Sequence, residues 1–252
     1  MNKRRLVVAN WKMYIDSPES ARRFATALRK KSRLYKGVDV VLAPAFPLLA
    51  VVAEKLKGSV IRLGAQTISE FEDAPHTGDV SAAMLKHAGV SFVIVGHSER
   101  RAQNETDAAV HAQLERALLG GLSAILCVGE KERDVAGSHF SLIESQLAVL
   151  KNLPHKAVSK IIVAYEPVWA IGKTSAEAMK GSDLREMSIF IKKTLAEQFD
   201  RVAALKVPIL YGGSVEPGNA HSLMAEGDIN GFLVGHASAE IDQFLDILKA
   251  IR

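Results

Sequence analysis

The 252-residue sequence contains one cysteine, Cys127, so no disulfide can form within the chain. Aromatic residues make up only 6% against 48% hydrophobic residues overall, so any core is built from Val, Ile, Leu and Ala. No uninterrupted apolar stretch approaches the roughly 20 residues that span a bilayer. The basic start Met1-Asn2-Lys3-Arg4-Arg5 is followed only by the apolar run Leu6–Ala9. That is shorter than the apolar core of about 7 to 15 residues in a signal peptide, and a cytoplasmic location is expected. Charge of one sign is also scarce. The net charge is +4, and the densest cationic run, Arg29-Lys30-Lys31-Ser32-Arg33, follows an apolar-periodic segment. Cations there complement the negative end of a helix. A nucleic-acid surface needs a longer basic stripe with interleaved aromatics, so no nucleic-acid partner is expected, and no membrane contact either. The histidines show no paired spacing beside a carboxylate on one helix face, which argues against a metal site.

Short apolar runs recur along the chain: Leu6–Ala9, Val38–Ala43, Val60–Ala65, Phe92–Val95, Ala124–Val128, Ile161–Tyr165, Val207–Tyr211 and Gly231–Val234. They are nearly continuous rather than alternating, as in strands buried on both faces of a parallel sheet. Helix signals lie between them. Ser17-Pro18 supplies an N-cap and a first-turn proline ahead of Glu19–Lys31. The run Thr106–Leu119 stops at Gly120-Gly121, and Ser182-Asp183 opens a helix through Phe199. In Ala239–Ile251 the apolar residues Ile241, Phe244, Leu245 and Leu248 share one face. Strand–helix alternation without a linker or low-complexity tract predicts one α/β domain over residues 1–252, a single (β/α)8 barrel. The alternative, an open doubly wound sheet, ordinarily carries a glycine-rich loop after its first strand. Here that position reads Ala9-Asn10-Trp11-Lys12.

Active sites of such barrels sit at the carboxyl ends of the strands. The residues following the apolar runs are therefore the informative ones. Asn10 and Lys12 follow the first, Gly96-His97-Ser98-Glu99-Arg100-Arg101 the fourth, and Glu166 the sixth. Gly212-Gly213-Ser214 follows the seventh and Gly235-His236-Ala237-Ser238 the eighth. Singly, each reads as a solvated loop residue or a backbone turn. Together they place a carboxylate, an imidazole, a cation and two small-residue turns on one rim.

Four segments carry a resemblance: Ala9-Asn10-Trp11-Lys12-Met13; Ile94-Val95 running into Gly96-His97-Ser98-Glu99-Arg100-Arg101; Ala164-Tyr165-Glu166-Pro167-Val168-Trp169-Ala170-Ile171-Gly172; and Leu210-Tyr211-Gly212-Gly213-Ser214-Val215. In order and spacing, over essentially the whole chain, they resemble the triosephosphate isomerase family. The resemblance implies interconversion of dihydroxyacetone phosphate and glyceraldehyde 3-phosphate through an enediolate, with no cofactor. It implies Glu166 as the base, made stronger by desolvation when a lid closes. It implies His97 as the neutral electrophile at a helix N-terminus, a role for which this family is the standard example. Lys12 is implied as the fixed cation, with Asn10 bonding substrate or holding Lys12. Glu99 is implied as a supporting carboxylate, with a salt bridge to a neighbouring arginine as its alternative role. Phosphate binding falls to backbone amides at Gly172, Ser214, Gly235 and His236. Pro167 through Thr174 resembles the family's closing loop, a standard case of gating. Cys127 matches a cysteine near the family's site and reads as a packing residue rather than a nucleophile. Phe71–Val80 resembles the loop that reaches into a partner subunit, so a homodimer is expected.

The chain departs from the family pattern in three places. Lys173-Thr174 stands where a second lid glycine is usual, and His236 where a second glycine is usual. The side chain of His236 is expected to point away from the phosphate. Asp79 replaces the glutamate usual in the partner-facing loop, and Pro75-His76 is unusual there. Two other functions stay open at this point. The altered lid is compatible with a larger phosphorylated ketose, and a catalytically silent phosphate binder is the alternative of another class, although Lys12, His97 and Glu166 are all present.

Overall fold

The computed structural model describes residues 5–71, 75–172 and 179–252. Eight parallel strands form a closed barrel: β1 (Arg5–Asn10), β2 (Val38–Ala43), β3 (Arg62–Ala65), β4 (Val90–Val95), β5 (Ser123–Val128), β6 (Ile161–Tyr165), β7 (Ile209–Tyr211) and β8 (Gly231–Val234). Each strand pairs with its neighbours in sequence, and β1 closes the ring on β8 through Leu6↔Gly231 to Ala9↔Val234. The helices α1 (Pro18–Lys30), α2 (Leu49–Leu56) and α3 (Ala82–His87) follow the first three strands. After β4 come the short α4 (Ser98–Arg101) and α5 (Asp107–Leu119), and after β5 comes α6 (Ser138–Leu147). The remaining helices are α7 (Gly181–Gln198), α8 (Arg201–Ala204), α9 (Ala220–Glu226) and α10 (Ile241–Ala250). Among the described residues no helix is long and apolar enough to cross a membrane.

The barrel expectation is met, with three strand starts displaced by two residues. The fourth strand starts earlier than the apolar run suggests, at Val90. The third starts only at Arg62, since Val60 is 78% exposed. The seventh starts at Ile209 because Pro208 has no N–H to give the ladder, although its carbonyl still accepts from the Val163 N–H at 3.0 Å. The helix signals act as read. The Ser17 side chain accepts from the Ser20 N–H ahead of Pro18, and Thr106 accepts from the Ala109 N–H. Arg29 and Lys30 occupy the last turn of α1, where cations offset the unsatisfied carbonyls.

Strand alternation divides the core in two. Leu6 and Val8, Phe92 and Ile94, Ile125 and Cys127, Ile162 and Ala164, with Val41, Ala43, Leu210 and Leu233, fill the barrel interior. The alternate residues face the helices in a second, larger cluster that includes Trp11, Phe24 and Phe244. The interior set has period two, and that parity continues past the strand ends. Two residues beyond Val8 lies Asn10, two beyond Ala164 lies Glu166, two beyond Leu210 lies Gly212 and two beyond Leu233 lies Gly235. Asn10 and Glu166 thus stand on the next rung of the interior ladder.

Three of the four tyrosines, Tyr35, Tyr165 and Tyr211, are fully buried. Burial pushes the Tyr35 hydroxyl up to about 12. It raises Tyr165 further, with the Glu130 carboxylate adding to the effect, and raises Tyr211 as well. Each folded value lies above the unfolded one, so the contribution to stability is complete below about pH 10 and is lost as pH rises beyond it. The denaturation midpoint is therefore predicted to fall between about pH 9 and 11 while three tyrosines stay un-ionised in the folded protein. Tyrosinate absorbance from all four at pH 10.5 in folded protein, on the order of half-titrated or more, would contradict this.

Candidate active site

The rim at the carboxyl ends of the strands surrounds a cavity of about 350 Å³ whose lining includes Asn10, Lys12, His97, Glu166, Gly172 and Ser214, together with Gly235 and His236. Every residue expected at the site except Glu99 lines this one cavity, and Glu99 touches it through Lys12.

Glu166 follows β6 directly. Its backbone N–H donates to the Val128 carbonyl at 2.7 Å, extending the β5–β6 ladder by one residue. Its side chain is 2% exposed, so the carboxylate is withdrawn from water. One oxygen accepts from the Ser98 N–H at 3.1 Å, and the other lies 3.3 Å from His97 Nε2. Two glycines leave the room it occupies. A Cβ on Gly212 would stand 2.7 Å from Glu166 Cγ, and one on Gly129 would stand 1.8 Å from the Glu166 carbonyl oxygen. Cys127 is buried on the interior side of the same carboxylate. Burial first, then the charge of Glu166, raises the thiol well above its usual value, so it stays protonated and un-nucleophilic, consistent with packing.

His97 caps α4 and is 6% exposed. Its Nδ1 accepts from the Glu99 N–H at 3.2 Å. A ring nitrogen that accepts a backbone N–H carries no proton, so the imidazole is neutral and holds its proton on Nε2. That atom faces Glu166.

Lys12 adopts φ of 44°, a left-handed conformation uncommon for a side-chain-bearing residue. Two contacts hold it there. Its N–H donates to Asn10 Oδ1 at 3.2 Å, and Gln66 Nε2 donates to its carbonyl at 3.0 Å while also bonding the Ala43 carbonyl. Asn10 thus positions Lys12, one of the two roles expected of it. Lys12 Nζ lies 2.6 Å from Glu99 Oε1, so Glu99 pairs with the site lysine rather than with a neighbouring arginine.

Behind Glu166 lies a fully buried carboxylate, Glu130. Tyr165 donates its hydroxyl to it at 2.8 Å, Trp169 Nε1 at 2.9 Å and Arg133 Nε at 2.9 Å. A buried carboxylate stripped of such donors costs several kcal/mol, so these bonds tie the root of the Pro167 segment to the barrel wall. Sequence reasoning missed Gln66, Glu130, Arg133 and Gln146, which stand in loops or on a helix with no motif around them.

At the far end, Gly235 precedes a 3-10 turn over His236–Ser238. His236 is absent from the described non-glycine residues of positive φ, so the substitution for glycine carries no backbone strain. Its ring packs edge-on against Tyr14, centroids 5.4 Å apart, at the exposed mouth of the cavity. Gly172, with φ of 74°, is the last described residue of the lid. Lys173 and Thr174, where the lid departs from the family pattern, lie outside the described residues. Among the described residues no three His, Cys, Asp or Glu side chains group as a metal site would need.

The family model for triosephosphate isomerase matches residues 5–251. This chain belongs to the triosephosphate isomerase family. A triosephosphate isomerase of Rhodopirellula baltica is 41% identical over 253 residues, covering 99% of this chain and 98% of that protein. One from Carboxydothermus hydrogenoformans is 42% identical over 247 residues, covering 96% and 97%. The crystal structure of triosephosphate isomerase from Bartonella henselae superposes with a TM-score of 0.84 at 35% identity, covering 98% of both chains. These relatives run the full length of the barrel, so family membership rests on the whole chain and not on the motifs alone.

Proposed function

We propose that this barrel interconverts dihydroxyacetone phosphate and D-glyceraldehyde 3-phosphate as a single catalytic domain, an aldose–ketose isomerisation of glycolysis and gluconeogenesis. The observation that carries the reading is the pairing of a buried carboxylate with the protonated nitrogen of a neutral imidazole, 3.3 Å apart on the floor of the cavity. Isomerisation moves one proton between adjacent carbons with no net oxidation. A C–H beside a carbonyl is a weak acid, so a positioned base and a stabilised oxyanion are both needed.

Glu166 takes the proton from the hydroxymethyl carbon, and the C–H electrons form the carbon–carbon double bond of the enediolate. His97 Nε2–H bonds the developing oxygen and relays protons between the two oxygens. The Lys12 ammonium offsets charge on that oxygen and on the phosphate, with Asn10 and Glu99 holding it in place. Glu166 then returns the proton to the neighbouring carbon. Phosphate recognition by backbone N–H groups at Gly172, Ser214, Gly235 and His236 is supported by their place on one end of the same cavity. Because the His236 ring rests on Tyr14, its backbone rather than its imidazole serves the phosphate.

A homodimer through the Phe71–Val80 loop fits the surface around it. Ser69 bonds both ends of the loop: its hydroxyl accepts from the Phe71 N–H at 3.1 Å and donates to Asp79 at 3.1 Å, and its N–H donates to the Val80 carbonyl at 3.0 Å. Phe71 stacks on His76 yet remains 44% exposed, and Met13, next to the catalytic lysine, is 89% exposed. Residues 72–74 of the loop lie outside the described residues. A cytoplasmic location is consistent with the buried free thiol of Cys127.

In a coupled assay with glyceraldehyde 3-phosphate, Glu166→Asp is predicted to lower kcat by about a hundredfold or more with little change in fold, since the carboxylate retreats by one methylene. Unchanged turnover would remove Glu166 from the role of base, and turnover only on longer phosphorylated ketoses would change the substrate. Sedimentation equilibrium is predicted to give twice the 27.3 kDa chain mass. A monomer mass at every concentration would rule out the dimer.

A further inference from the structure

We infer that Gln146, on the outer helix α6, is a positioning residue for the Glu166 carboxylate, an inference that rests on the reading of Glu166 as base. Gln146 is 8% exposed and spends both polar atoms on a single residue. Its Oε1 accepts the Gly129 N–H at 2.7 Å, and its Nε2 donates to the Gly129 carbonyl at 3.1 Å.

The need for this clamp follows from strand pairing. Past the end of β5 the carbonyls of Val128 and Glu130 still pair towards β6, accepting from Glu166 N–H at 2.7 Å and Val168 N–H at 2.8 Å. By alternation the polar groups of Gly129 face the other neighbour, β4, whose register with β5 ends at Val95↔Leu126. No strand is left there to receive them. A primary amide offers the same donor and acceptor as a peptide, and Gln146 supplies it in place of the missing strand residue.

Gly129 in turn sets Glu166. Their backbones approach so closely that a Cβ on Gly129 would lie 2.5 Å from the Glu166 carbonyl carbon. Movement of Gly129 towards or away from α6 is therefore transmitted to the base. Three of the four groups assigned to the phosphate, at Ser214, Gly235 and His236, follow β7 and β8 and lie outside the Gly129–Gln146 bonds. Loss of the clamp should thus act on proton transfer more than on phosphate binding.

The test is Gln146→Met, of equal length but without the amide, with Gln146→Glu as a second variant that keeps the acceptor and loses the donor. The expected result is a kcat about tenfold lower with KM for glyceraldehyde 3-phosphate within about twofold of the parent. Affinity for a phosphorylated enediolate analogue should fall in step with kcat/KM, while affinity for inorganic phosphate holds. A parental kcat in the variants overturns the inference, as does a fall in kcat matched by equal loss of phosphate affinity. So does failure of both variants to fold, which would make Gln146 a determinant of folding instead. Glu166→Asp, run alongside, separates the two claims: if it abolishes turnover while Gln146→Met does not, the base stands and only the clamp is wrong.

Discussion

The ladder between the first and last strands is the interaction on which the site depends. Where β8 meets β1, Gly231 lies at φ of 150° so close to Leu6 that a Cβ would stand 1.8 Å from its carbonyl oxygen. Only glycine fits both the conformation and the approach. With that seam closed, Lys12 at the end of β1 comes within 3.5 Å, through its Cε, of a Cβ position on Gly235 at the end of β8. An open sheet would leave the cation and the eighth-strand turn at opposite edges, and the cavity they share would not exist.

Closure also sets the electrical character of the site. Glu166 and His97 are almost wholly excluded from water, so the contacts that remain to them act in a low dielectric. The carboxylate keeps a backbone donor at Ser98, and the imidazole is fixed in its neutral tautomer by the Glu99 N–H. The cation sits further out, with Lys12 18% exposed and its partner Glu99 58% exposed. A buried carboxylate beside a neutral hydrogen-bond donor, with a more solvated cation beyond it, suits the proposed division of labour. On that reading the strong contacts serve the proton transfer, and the long-range attraction for a phosphate lies at the entrance.

Much of this was legible in the sequence because it follows from period and order. Continuous β-branched runs separated by helix-period segments specify a parallel sheet, and eight of them with no glycine-rich nucleotide loop specify closure. Asn10 and Glu166 could be placed at the carboxyl ends of their strands because each follows an apolar run directly. What the sequence hid depends on chain segments meeting at a distance. Gln146 reaches a glycine 17 positions earlier, and Gln66 bonds the carbonyl of Lys12 from 54 positions away. Glutamine in a loop or on a helix reads as a surface residue until the unpaired peptide it serves is seen. Pro208 was visible, and its effect on the start of the seventh strand could have been read from its missing N–H. The room that Gly129 and Gly212 leave for the buried Glu166 side chain was hidden too, since both glycines read as plain backbone turns until the strands meet.

On the proposed mechanism hydrogen moves between the two carbons as a proton carried by the buried carboxylate. Isomerisation of dihydroxyacetone phosphate in deuterium oxide, with mass-spectrometric analysis of the glyceraldehyde 3-phosphate formed, tests it directly. A proton held on a carboxylate exchanges with solvent in a share of turnovers before it is returned, so the account predicts deuterium at the carbon beside the aldehyde in part of the product. Product free of deuterium would mean that hydrogen passed from carbon to carbon as hydride, with no base required, and would contradict the account.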